Sequence, residues 1–157
     1  MNRLTGLLGL SFVALACGGL IDELDPAVGS PTQERCSNSD SDLSTSVSFA
    51  RDIAPLFFRQ PGAGCGCHLP NTRPNANPIG FEQTGLSLET YDSLRAGGVN
   101  SRAAIVVPGE PCSSVLWQKV SPGPPFGARM PFNGPPFLEP AERQLIADWI
   151  AEGARDN

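Results

Sequence analysis

The sequence predicts an all-α domain with long Pro/Gly-rich loops. Apolar residues recur at helical spacing in several segments, and no stretch of convincing length alternates as a strand does. The 157 residues include 17 glycines and 16 prolines, about a fifth of the chain, so connecting segments should outweigh regular structure.

The N-terminus is read as an export signal. Met1, Asn2 and Arg3 form a small positive start, and residues 4–16 are an uncharged apolar run. A bilayer span needs about 20 residues, so the run suits the core of a signal peptide and not a membrane helix. It ends in Ala14-Leu15-Ala16-Cys17, which resembles the lipobox of bacterial lipoproteins. The resemblance implies that Cys17 is lipidated and becomes the mature first residue, tethering the protein to a membrane surface. Gly18 in the next position resembles lipoproteins sent to the outer membrane, so the expected place is the periplasmic face, outer membrane favoured. The alternative is an ordinary secretory signal with Cys17 incidental.

Three regions follow: a signal at 1–16, a lipidated cysteine with a flexible acidic linker at 17–47, and the folded domain at 48–157. Asp22-Glu23-Leu24-Asp25-Pro26 and Ser37-Asn38-Ser39-Asp40-Ser41-Asp42 are too poor in apolar residues to offset their ordering entropy. Cys36 is out of place in a plain tether and hints at a disulfide.

Within the domain, Phe49, Ile53, Leu56 and Phe57 mark one buried face of a helix over 49–58. Pro55 fits if regular hydrogen bonding begins near Asp52, which places it in the first turn. Gly62-Ala63-Gly64 ends this element, and a Pro/Asn-rich loop covers 69–80. Ser87 is expected to cap a short helix through Tyr91 and Leu94, stopped by Gly97-Gly98. Ser113 or Ser114 should cap Val115-Leu116-Trp117-Gln118-Lys119-Val120. The last helix is the clearest: Pro140 sits in its first turn, Leu145, Ile146, Trp149 and Ile150 form a stripe, and Gly153 closes it.

The chemistry concentrates at Gly64-Cys65-Gly66-Cys67-His68, which holds the only histidine of the chain. The string approaches the Cys-x-x-Cys-His signature of covalent c-type haem attachment but is one residue short. Glycine stands where the first cysteine belongs. On an α-helix, Cys65 and Cys67 would lie on nearly opposite sides. Both could face one porphyrin only if the backbone departs from helix, which Gly64 and Gly66 permit.

Several pieces in order resemble exported bacterial c-type cytochrome domains. They are Phe49-Ala50-Arg51-Asp52-Ile53-Ala54-Pro55-Leu56-Phe57 before the Cys-His motif; Gly85-Leu86-Ser87-Leu88 with Tyr91 and Leu94; and Val107-Pro108-Gly109-Glu110-Pro111 with Ser114 and Leu116. Arg129-Met130-Pro131, Gly134-Pro135-Pro136 and the terminal Trp149-Ile150-Ala151-Glu152-Gly153-Ala154 complete the set. The resemblance implies a small cytochrome c-like helical fold and a covalent haem c, with His68 and Met130 as axial iron ligands. Met/His ligation raises the reduction potential, and with both axial sites filled one-electron transfer to a redox protein is favoured over catalysis. Cys67, beside His68, is the better candidate for a thioether, and Cys65 the second. Arg129, next to Met130, is placed to neutralise a haem propionate.

Cysteine count constrains the alternatives. With Cys17 on lipid, two thioethers would leave Cys36 and Cys112 to pair in an oxidising compartment. A haem-free cytochrome-fold module, structural or interacting, would leave four cysteines for two disulfides, in one of three connectivities. A zinc site from Cys65, Cys67, His68 and Cys112 is a third reading, made awkward by the adjacency of Cys67 and His68. No nucleophile-elbow or papain-type context surrounds a cysteine, so no enzyme is expected. The net charge of −5 argues against a nucleic-acid partner.

Overall fold

Helical periodicity becomes five short α-helices joined by single turns and loops in the computed structural model, which describes residues 36–59, 65–71 and 78–157. The described residues contain no strand, so the all-α expectation holds for them. The signal segment, Cys17, the first part of the linker, Gly62-Ala63-Gly64 and half of the Pro/Asn-rich loop lie outside the described residues.

The opening segment buries the predicted face, but not as one helix. Phe49–Ile53 is a wide π-type turn, and α1 (Ala54–Phe57) continues it, with Pro55 in the first turn of regular structure. Ser48 starts the segment by accepting a hydrogen bond from Arg51 N on its hydroxyl. Phe49, Ile53, Leu56 and Phe57 are all buried.

Two capping expectations are corrected. The helix after Gly85-Leu86 is α3 (Tyr91–Ala96), and its cap is Thr90, not Ser87. Thr90 and Ser93 bond reciprocally, satisfying two donors that would otherwise be orphaned. Ser87 instead accepts from Glu89 N in a local turn. Gly97 ends α3 as expected, at φ 71°, where a Cβ would lie 2.1 Å from the Arg102 carbonyl oxygen. Ser114 stands before α4 (Val115–Val120), but its buried hydroxyl serves Val107 and Glu110 rather than the helix.

An unforeseen helix, α2 (Ile79–Thr84), follows the Pro/Asn-rich loop and ends at left-handed Gly85. α5 (Pro140–Ala151) keeps its predicted start and stripe. Ile146, Trp149 and Ile150 have no exposed area, and Leu145 is partly buried. Glu139 and Glu142 form its capping box. None of the helices among the described residues is long and apolar enough to cross a membrane.

Trp149 is the centre of the core. Its ring lies 5.5 Å from Phe49 and 6.5 Å from Tyr91, whose own rings are 5.4 Å apart edge to face. Tyr91 also donates its hydroxyl to the Ala154 carbonyl at 2.8 Å.

The largest departure from expectation is residues 36–47, which the sequence assigns to the flexible linker. They form a strap against α5 and the turn before α4. Cys36 is disulfide-bonded to Cys112, 76 residues away. Asp42 N donates to Asp148 Oδ1 at 2.8 Å, and Thr45 Oγ1 and Val47 N donate to the Glu152 carboxylate. Gln144 Nε2 reaches the Asp40 carbonyl, Asn38 bonds to Glu110, and Val47 is buried in the core. The packed region therefore extends back to Cys36, and the boundary at 47/48 is corrected. Local composition reads as disorder, but carboxylates of α5 and a distant cysteine supply what the strap lacks.

A crosslink closing so long a loop restrains the unfolded chain. Cys36→Ala/Cys112→Ala is expected to lower stability in urea by about 2–4 kcal/mol. An unchanged midpoint and slope would show that the strap is held without the disulfide.

Candidate functional site

The cysteine motif folds as a pinned turn. Cys65 N donates to the Phe57 carbonyl at 3.2 Å, and Gly66–His68 form a 3-10 turn. The His68 carbonyl accepts from Leu88 N at 2.9 Å. The backbone thus departs from α-helix here, with Cys65 itself at φ −88°, ψ 36°. The two thiols occupy different surroundings. Cys65 belongs to the hydrophobic core, whereas Cys67 is half-exposed, and neither takes part in a disulfide.

His68 is 8% exposed. Its Nδ1 lies 3.1 Å from the Leu86 carbonyl oxygen, which can only accept, so Nδ1 carries the proton and Nε2 keeps its lone pair. Metal-binding imidazoles are commonly fixed in this way by a carbonyl on the other nitrogen. Burial holds the ring below the ordinary histidine pKa, the Leu86 bond opposing it only in part.

The Nε2 edge is covered by α2. A Cβ on Gly80 would sit 2.7 Å from Nε2 and 2.8 Å from Cε1. Glycine is thus required for this approach, and Thr84, bonding the Gly80 carbonyl, steadies the helix that brings it. As donors, an oriented imidazole and two adjacent thiols suit a haem iron and its thioethers. As space, the Nε2 edge is filled by Gly80, and iron there would require α2 to stand farther off.

Met130 is the other expected ligand. It is half-buried against the core, and its N donates to the Lys119 carbonyl at 2.7 Å. Beside it, Arg129 donates from Nε to the Val120 carbonyl. Cys36 and Cys112 come together, which corrects two alternatives. Cys112 is unavailable to zinc, and no cluster of three or more His, Cys, Asp or Glu suited to a metal occurs among the described residues. A form with Cys65 and Cys67 both oxidised is also not observed. Cys17 lies outside the described residues.

Sequence reasoning missed Gly80 and the Leu86 carbonyl. Gly85 after Phe81-Glu82-Gln83-Thr84 was a legible stop signal for α2, but a backbone carbonyl bonding a distant imidazole leaves no mark in the sequence. No family model, curated protein or solved structure matches the chain.

The buried ring gives a pH signature. With a folded pKa below the unfolded one, the unfolded state binds the extra proton, so stability is full above about pH 6.5 and falls as pH drops below it. In protein made without cytochrome maturation, urea stability should decline from pH 7 to pH 5, and His68→Gln should flatten that decline. Equal slopes for both proteins would show that the ring is not buried.

Proposed function

We propose that this chain is an exported, lipid-anchored one-electron carrier of the c-type cytochrome kind. His68 and Met130 would hold the haem iron, and Cys67 would supply the main attachment. The observation that carries this reading is the His68 ring: Nδ1 is committed to the Leu86 carbonyl, which leaves the lone pair on Nε2, in the residue next to Cys67. The Cys36–Cys112 disulfide supports it, because the cysteines used as a staple are the two described ones outside the motif. Bound haem would supply a one-electron couple that Met/His ligation raises in potential. The chain's own residues hold the imidazole in one tautomer, keep its Nε2 unprotonated and present the Cys67 thiol at a partly exposed position. The partner is a redox protein, reached from the periplasmic face of the membrane to which Cys17 tethers the domain.

A second reading is favoured by Gly80, which covers the Nε2 edge. It is a haem-free cytochrome-fold module, structural or interacting, with one disulfide instead of the two that cysteine counting suggested.

Expression through export with a cytochrome maturation system, then denaturation and haem-linked peroxidase staining, separates the two. A stained band that Cys67→Ala abolishes is expected. An unstained protein that is exported and folded would overturn the electron-transfer reading. In the haem-loaded protein, Met130→Ala should remove the weak sulfur-to-iron absorption band and lower the potential. An unchanged spectrum would assign Met130 to packing alone.

A further inference from the structure

Two guanidinium groups converge on the segment that precedes α5. The Arg129 guanidinium lies over the Phe137 ring, 4.1 Å from its centroid, with Nε bonded to the Val120 carbonyl at 3.1 Å. Arg143, from α5, donates from Nη1 to the carbonyl of Leu138, the next residue, at 2.6 Å. Gly134 lets the loop close on Phe137, since a Cβ there would sit 2.5 Å from the ring. Arg129 is therefore held flat by a ring face and by one hydrogen bond. Its terminal fork of two Nη atoms has no hydrogen-bond partner among the described residues.

The charges around this fork do not balance. Arg143 is faced by Glu139, while the Glu142 carboxylate is taken by Arg59 and the Glu139 backbone. No carboxylate of the described residues pairs with Arg129. Burial and the Arg143 charge both push its guanidinium below the usual range. A second observation comes from the same backbone. Ser121, which follows the Val120 carbonyl that anchors Arg129, has a hydroxyl with no partner among the described residues and is 3% exposed. Buried hydroxyls are normally satisfied.

We propose that Arg129 and Arg143 form a binding site for a single carboxylate. The planar fork of Arg129 matches a carboxylate edge with two parallel hydrogen bonds. One unopposed positive charge calls for a monoanion, and a doubly charged phosphate would exceed it. The carboxylate comes from a propionate of an attached haem or from a molecule outside the chain. The site itself depends on neither source, so it stands or falls separately from the haem reading.

The test is an acetate titration at constant ionic strength, adjusted with chloride, followed by the NMR signals of the arginine Nε–H groups. The protein is the full mature domain, prepared both with and without cytochrome maturation. Saturable shifts at Arg129 are expected in protein without haem. Arg129→Gln should abolish them. Arg129→Lys, which keeps the charge and loses the fork, should weaken binding about tenfold. Arg143→Gln should weaken binding, and Arg51→Gln, an exposed partner of Asp52, should not change it. Loss of the acetate response once haem is attached would assign the site to a propionate; an equal response in both samples would assign it to an external carboxylate. Shifts that chloride reproduces, or inorganic phosphate binding more tightly than acetate, would overturn the proposal. So would acetate binding unchanged in the folded Arg129→Lys protein.

Discussion

The packing of Trp149 holds the two ends of the described chain together. Phe49 comes from the opening turn, Tyr91 from α3 and Trp149 from the last helix, and their rings meet within 6.5 Å of one another. Aromatic pairs contribute about 0.5–1.5 kcal/mol each beyond the area they bury. The Trp149 Nε1 donates to the Arg155 carbonyl and the Tyr91 hydroxyl to the Ala154 carbonyl, so the chain after α5 is folded back by the same rings. Once Phe49 is fixed, α1 follows it, and the Phe57 carbonyl can receive Cys65 N. Once Tyr91 is fixed, Leu86 and Leu88 are drawn beside the His68 turn. The cysteine motif is thus positioned from both sides by segments that the aromatic contact holds.

What was legible in the sequence was whatever depends on neighbours along the chain. Pro140, the apolar stripe and Gly153 specify α5 within a few turns, and Gly97 stops α3 because its φ is left-handed. Cap identity was less legible, since Ser87 and Thr90 are both competent caps, and the choice between them follows the reciprocal bond with Ser93. Ser114 shows the same limit, its hydroxyl being claimed by Val107 and Glu110 across a loop. Apart from the pairing of Cys36 with Cys112, which cysteine counting offered, the strap from Cys36 to Val47 was hidden most completely. Its polar, acidic residues carry no apolar periodicity, and its partners Asp148, Glu152 and Cys112 are about a hundred residues or fewer away in sequence yet adjacent in space.

The candidate site divides along the same line. Its donor types could be read directly: one histidine, two cysteines just before it and a single internal methionine. Their environments could not. The short spacing that looked like a defect becomes a 3-10 turn that starts after Cys65, with the Cys65 side chain in the core and Cys67 partly exposed. The tautomer of His68 is set by a carbonyl 18 residues away, and the cover over Nε2 by a glycine in a segment whose composition predicts a loop.

That cover is also the least firmly held helix in the structure. α5 buries five residues and α4 three, but α2 buries none. It is kept in place by the Gly85 cap, by Val99 N on the Thr84 carbonyl and by the close approach of Gly80 to the imidazole. An element with little apolar burial opens at low cost compared with one built into the core. The His68 ring, by contrast, is pinned through the turn, the Leu86 carbonyl and Leu88. The side that carries the imidazole is therefore the rigid one and the covering side the yielding one, so movement of α2 would uncover Nε2.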